Sequence, residues 1–344
     1  MTGKRAVRIT LASFIVLAAL ALAAWYATPT VLLWYAEKAF ATKNYARADR
    51  ALQWLVAIEP NDKRTRFLHA RVLRQLERYR EADAELDMAA ALGLPKDEGV
   101  REFGLLWAPK DFAQAEGALQ KAARQDPGDV EVLQALTQGY MRQLRPRYTE
   151  LYLTQWIEAR PDDLQPRLER GRLYLDLREF NKSIADLSEA AKRNPTHYRA
   201  HLWLGLALLS DAKIAQAEPE LRLCQQMRPD SAEPLVALAE CAMERRDYLK
   251  ARTLLGQALE LDYGNLLALQ DLGNLNLLEK RYDEAVNNFT QIVTVSPKNK
   301  QAHLKLGQAL HFLGRTDEAR QHEQRFRALD AEEEIEQKKN PMNR

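Results

Sequence analysis

The sequence predicts an all-α repeat array, and three observations carry that expectation. Pro127, Pro161, Pro195, Pro229 and Pro297 fall on one register of 34 residues, with Tyr263 in the single empty slot. A fixed period in this range is the mark of stacked helical units. Leu, Ala, Glu, Arg and Gln, all good helix formers, dominate a chain of 344 residues that has only 14 Gly and 14 Pro. Small residues also recur at constant distances from the prolines: Gly205, Ala217 and Cys224 after Pro195, Gly171, Ser183 and Ala190 after Pro161, and Gly273 and Ala285 after Tyr263. Larger apolar residues (Leu187, Leu221, Phe289) stand between them, as two closely approaching helices require.

The chain opens on a short basic flank, residues 1–8, with Lys4, Arg5 and Arg8. Residues 9–27, from Ile9 through Leu17 to Ala27, carry no charge. A helix of this length spans roughly 28 Å, close to the hydrocarbon core of a bilayer. The basic flank favours a cytoplasmic N-terminus, and Trp25 and Tyr26 suit the opposite interface. A cleaved signal peptide is the rival reading, with small residues at Ala21, Ala23 and Ala24. The uncleaved single-pass anchor is preferred because the run is longer than a usual signal core. That orientation places the array outside the cytoplasm, in a periplasmic or other extracytoplasmic space.

Residues 29–333 form the array. Helix A of each unit carries motifs such as Leu202-Trp-Leu-Gly205, Leu272-Gly-Asn274 and Lys305-Leu-Gly-Gln308. The turn into helix B reads Asn44 to Ala48, Arg281 to Ala285 and Gly314 to Ala319. This pattern resembles the tetratricopeptide repeat family, over about nine tenths of the chain. The resemblance implies a right-handed superhelical solenoid of about nine helix-turn-helix units, preceded by one transmembrane helix. Counting from the prolines gives units at 29–62, 63–96, 97–129, 130–163, 164–197, 198–231, 232–265, 266–299 and 300–333. The prolines end each helix B, and the Asp, Asn, Ser or Thr that often follows is placed to cap the next helix A. The register slips at Pro95. The third unit lacks the usual Leu-Gly, and the fourth has Thr137 where Gly is expected and Trp156 where Ala is expected. Residues 334–344 read as a polar tail.

Little in the sequence points to chemistry. No phosphate loop, no nucleophile elbow, no HExxH and no paired CxxC occurs. Fifty basic and 48 acidic residues are interspersed, with no basic stripe that would mark a nucleic-acid surface. His197 and His201, and His303 and His311, read as ordinary turn and surface histidines, and Cys224 and Cys241 as small buried hydrophobes. No enzyme activity, metal, cofactor or small-molecule substrate is expected.

The resemblance implies that helix A lines a concave surface that binds extended peptides or partner helices. Positions placed there by register are Gln138 and Arg142 in the fourth unit, Leu168 and Arg172 in the fifth, and Leu202, Trp203 and Leu206 in the sixth. Glu240, Asn274, Lys305 and Gln308 continue the face through the last three. The family's Lys, Asn and Arg clamp for a terminal carboxylate is replaced by Leu168, Arg172 and Trp203. The expected role is a non-catalytic scaffold that holds protein partners at a membrane, reached through the N-terminal helix. Two alternatives stay open: a regulatory or assembly subunit of an envelope enzyme, polysaccharide or secretion complex, and a periplasmic chaperone-like holder of unfolded clients.

Overall fold

Nine short A-to-B turns organise the described residues. We describe residues 28–339 from a computed structural model. The chain divides between Arg160 and Pro161 into two compact units. The first contains α1 (28–41), α2 (Tyr45–Ile58), α3 (Lys63–Gln75), α4 (Tyr79–Ala91), α5 (Lys96–Trp107), α6 (Phe112–Gln125), α7 (Val130–Arg142) and α8 (Pro146–Ala159). The second contains α9 (Gln165–Asp176), α10 (Phe180–Arg193), α11 (Tyr198–Ser210), α12 (Ile214–Met227), α13 (Ala232–Glu244), α14 (Tyr248–Leu261), α15 (Leu266–Leu278), α16 (Tyr282–Val295), α17 (Lys300–Phe312) and α18 (Thr316–Lys339). No strand occurs among the described residues. Odd-numbered helices are the A helices and even-numbered ones the B helices.

Eight of the nine A-to-B turns share one geometry. A residue in the left-handed region closes helix A: Lys43, Glu77, Leu144, Arg178, Ala212, Arg246, Lys280 and Gly314, with φ between 53° and 76°. Its N–H, and that of the next residue, return to the last turn, as Ala212 does to Leu209 and Lys213 to Leu208. This paired pattern satisfies carbonyls that the helix end would otherwise leave open. Only one of the eight is the glycine that such a φ favours.

Three of the five second-unit hairpins then close tightly on a glycine, while α13 has Ala239 in that slot and Gly307 of α17 leaves ordinary van der Waals room. A Cβ on Gly171 would lie 2.6 Å from Leu187 Cγ, one on Gly205 2.6 Å from Leu221 Cδ2, and one on Gly273 2.7 Å from Phe289 Cζ. The A and B helices approach so closely that helix A has room only for hydrogen at this point. Around the seam, Leu168, Leu204, Leu208, Ala217 and Cys224 complete a continuous core. Ser183 adds a buried bond, its hydroxyl donating to Gly171 O at 2.7 Å.

The prolines end helix B, and side chains six residues on often cover the proline carbonyl. His201 Nε2 donates to Pro195 O at 3.1 Å, and His303 Nε2 to Pro297 O at 3.1 Å. Arg66 Nε does the same to Pro60 O at 2.6 Å. His201 and His303 are therefore buried structural groups, a correction to their reading as surface histidines. Asp62, Asp129, His197, Asn265 and Asn299 cap the following A helices. Ser231 sits at the cap position of α13 without capping it; its hydroxyl meets Tyr198 Oη at 3.0 Å.

The slip at Pro95 has a local cause. α4 has 13 residues where the other B helices before α18 have 14, and it ends on Gly93 with φ +81°. Helix α5 does carry a seam glycine, contrary to the sequence reading: a Cβ on Gly104 would meet Leu119 Cγ at 2.8 Å. The fourth pair is built differently. Thr137 is buried in the glycine slot, and Phe112 of α6 lies over Gly139, where a Cβ would fall 2.0 Å from the ring. Phe112 packs edge-on to buried Tyr140, which also stacks on Tyr148 and Tyr152. An aromatic cluster thus replaces the small-residue seam.

Helix α18 continues without a break through residue 333 to Lys339, so the first residues of the expected tail extend the last helix. The basic flank and the apolar run from Ile9 through Leu17 to Ala27 lie outside the described residues, as do 340–344. Among the described residues no helix is long and apolar enough to cross a membrane.

Two substitutions separate these forces. Gly205→Ala should lower stability by about 1–3 kcal/mol through overpacking against Leu221. Ala212→Gly should raise it by about 1 kcal/mol by relieving the left-handed turn. Urea midpoints followed by circular dichroism check both signs.

Candidate functional site

In the second unit the A helices also contact one another in sequence, α9 to α11, α11 to α13, α13 to α15 and α15 to α17. The B helices make no comparable contact with each other. The A helices thus form the more tightly spaced row, and their side chains that miss the hairpin seam meet along one face. Arg172, Leu206, Glu240, Asn274 and Gln308 occupy the same place on α9, α11, α13, α15 and α17, 34 residues apart. Three residues earlier on each helix stand Glu169, Trp203, Ala237, Asp271 and Lys305.

At one end of this row the surface is basic and aromatic. Trp203 is half-buried, and the Arg172 guanidinium lies 5.5 Å from its ring centroid. Beside it is a depression of about 450 Å³ whose lining includes Leu168, Tyr198, Arg199, Trp203 and Arg228, and no carboxylate. Arg228 packs over the Tyr198 ring at 4.3 Å. Such stacking fixes the guanidinium's direction and leaves its edge free for an acceptor.

Further along, the row turns acidic. Burial pushes the Glu240 carboxyl up to about 7, aided by the neighbouring charges of Asp271 and Glu244. Burial alone pushes Asp271 up to about 6, and its Oδ2 is buried with no hydrogen-bond partner. Glu169 is also raised, by burial and Asp163, although Gln165 Nε2 donates to it at 2.7 Å. Among the described residues no cation pairs with Glu240 or Asp271. A carboxylate held this way is costly until a donor or cation meets it.

The first unit treats its acids in the opposite way. Glu102, 1 % exposed, is held by Arg74 and flanked by Arg71 and Arg101. Glu131 meets Arg74 at 2.8 Å and Arg101 at 3.0 Å. Burial pushes Glu131 up, but the two guanidiniums outweigh it and hold it below its ordinary value. These acids are met by guanidiniums of their own unit, as is Glu218 of the second unit by Arg222, Arg245 and Lys250, whereas Glu240 and Asp271 are not.

The residues singled out by register divide accordingly. Gln138 is exposed on α7, and the Arg142 guanidinium donates to Ala108 O at 2.8 Å; both belong to the first unit. Arg172 and Gln308 are exposed on the A row of the second unit; Trp203, Leu206, Glu240, Asn274 and Lys305 are half-buried there. Leu168 and Leu202 are corrections: at 3 % and 4 % exposed they belong to the core. Each precedes the face-lining position by one residue, which on a helix swings the side chain by roughly 100°. Asp271, Arg199 and Arg228 were missed. Asp271 shares the register of Trp203 and Lys305, so the repeat already contained that signal.

The thiols of Cys224 and Cys241 are buried and pushed up to about 12 and about 11, which suppresses the reactive thiolate. No group of three or more metal-ligating side chains occurs among the described residues.

Comparison with known proteins fits this geometry. Two family models described as tetratricopeptide repeat match residues 168–232 and 236–286, and residues 276–335. The chain carries tetratricopeptide repeats. It is 25 % identical over 167 residues to the human protein O-mannosyl-transferase TMTC3, covering 44 % of this chain and 18 % of that protein. It is 23 % identical over 144 residues to anaphase-promoting complex subunit 3 of Schizosaccharomyces pombe, covering 42 % and 22 %. With human DnaJ homolog subfamily C member 3 it shares 20 % over 250 residues, covering 68 % and 49 %. The chain thus spans less than half the length of each. Among solved structures, the C-terminal part of a repeat protein from Cytophaga hutchinsonii superposes with a TM-score of 0.56 at 21 % identity, over 69 % of this chain and 97 % of that one. The Cut9–Hcn1 hetero-tetramer of the APC/C matches with a TM-score of 0.50 at 14 % identity, over 88 % and 81 %. Both likenesses concern the fold.

A titration tests the unpaired acids. The folded state raises the Glu240 carboxyl from 4.5 to about 7, so it binds that proton more tightly than the unfolded chain does. The group therefore favours folding least above pH 7, and the deficit disappears as pH falls below 4.5. Glu240→Gln should raise the melting temperature at pH 8 and leave it close to wild type at pH 4, as calorimetry would show.

Proposed function

We propose that this chain is a non-catalytic scaffold that holds a protein partner on the A-helix face of its second unit. The observation that carries the reading is the pair of half-buried carboxyl groups, Glu240 and Asp271, which no cation among the described residues neutralises. A partner segment with a basic side chain satisfies them, and an apolar side chain of the same segment rests on Trp203 and Leu206. Its acidic end meets Arg199 and Arg228. Rigid helices hold these positions at fixed spacing, so the partner pays the ordering cost and the scaffold does not. That one relative is an anaphase-promoting complex subunit, and that one fold match is a hetero-tetramer, supports a role in assembly. In the same proposal residues 9–27 anchor the chain as a single-pass helix, with the array outside the cytoplasm.

Capture of the full chain from a detergent extract should yield one or two stoichiometric partners, and a broad spread of clients would contradict the scaffold. Asp271→Asn and Trp203→Ala should each weaken that capture roughly tenfold with helicity unchanged, as expected for residues central to an interface. Equal recovery with both variants would overturn the assignment of the face. Docking a cation at Glu240 lowers its proton affinity, so binding should release protons between pH 5 and 7, measurable by calorimetry in buffers of different ionisation heat.

A further inference from the structure

The first hairpin has a face that the core does not use. On its inner side Ala36, Ala39, Ala48, Leu52 and Leu55 pack with Leu68 and Val72. On its outer side Val31, Trp34, Tyr35 and Lys38 follow the three-and-four spacing of one face of α1, and Arg47, Arg50 and Trp54 follow it on α2, beside buried Ala51. Val31, Trp34 and Trp54 are 60 %, 58 % and 68 % exposed. The two stripes meet, because Leu32 and Tyr35 of α1 line one depression of about 550 Å³ with Arg47, Arg50 and Trp54 of α2. The depression contains two guanidiniums and no carboxylate. Lys38 Nζ lies 5.0 Å over the Trp34 ring, which adds a third cation to the same side.

From this geometry we propose that the outer face of the α1–α2 hairpin rests on the surface of an anionic lipid bilayer. Tryptophan and tyrosine place an apolar ring in the acyl boundary and a polar edge among headgroups. Arginine and lysine beside them meet lipid phosphates and carboxylates. No such pairing of exposed tryptophans with unopposed cations is needed for the hairpin's own packing. The occupant is set by position in the chain. Residue 28, the first described residue of α1, directly follows the uncharged run that ends at Ala27. If that run enters a bilayer, Val31, Trp34 and Tyr35 emerge within about 12 Å of its edge at helical rise. The inference rests on the anchor reading of residues 9–27.

The experiment uses the full chain in vesicles of phosphatidylcholine, with and without phosphatidylglycerol, and with brominated acyl chains as quencher. Because Cys224 and Cys241 are buried, a bimane label attaches selectively to Trp54→Cys, to Leu17→Cys or to Leu249→Cys. Leu249, 78 % exposed on α14, is the control away from the hairpin. The label at position 54 should be quenched roughly twofold or more over that at 249, more with phosphatidylglycerol present, and less when Arg47→Ala and Arg50→Ala are added. Quenching at 17 but not at 54 keeps the anchor and overturns this proposal. Absence of quenching at 17 overturns the anchor and this proposal together. A label at 54 shielded equally in detergent and in vesicles, without quenching, assigns the face to a protein segment and overturns the lipid.

Discussion

The second unit depends on one close approach. Where α9, α11 and α15 meet their B helices, the A helix carries only a hydrogen, and Leu187, Leu221 or Phe289 of the B helix fills the space; α13 keeps a small residue there, Ala239. This contact decides which way each hairpin closes and hence which side chains are left over. The residue just before the glycine enters the core, as Leu204 and Leu306 do, and the one just after it, Arg172 or Leu206, stays on the face. Those on the far side of helix A, Trp203 and Glu240 among them, are turned onto the row that neighbouring A helices share. The seam therefore builds the core and, by exclusion, the recognition face. The left-handed turns recur beside it, closing helix A in eight of the nine hairpins among the described residues. Most of those turns carry a strained non-glycine residue, which the seam must hold in place.

The two units spend their buried charge differently. In the first, Arg74 and Arg101 bridge Glu102, Asp129 and Glu131. Such a network is rigid and leaves little charge for a partner. The second unit holds both kinds: Glu218 is met by Arg222, Arg245 and Lys250, whereas Glu240 and Asp271 on the A row meet no cation among the described residues. An unpaired half-buried carboxyl is poor for stability and useful for selectivity, because a ligand lacking the matching cation leaves the penalty in place.

Much of this was legible in the sequence because it is periodic. Helix-forming composition, the 34-residue register and the glycines define an all-helical array of tetratricopeptide repeats. Trp203, Leu206 and Glu240 could be placed on one face by counting. Counting failed where the answer depends on one residue of rotation, so Leu168 and Leu202 were assigned outward although they pack inward. It also missed Gly104, since Phe103 and Leu105 around it do not repeat the usual motif. His201 and His303 looked like surface residues because the carbonyl they cover belongs to a proline six positions earlier, a partner that composition does not reveal. The charge state of Asp271 was invisible for a similar reason: it depends on what fails to face it.

The central claim is that the A row of the second unit, rather than its B side, receives the partner. A photo-crosslinking amino acid placed at Asn274 on the row, and at Leu249 on α14, in the full-length protein in cells tests this most directly. The account requires a discrete adduct from position 274 that disappears with Asp271→Asn, and none from position 249. Adducts of equal yield from both positions, or from 249 alone, would contradict it.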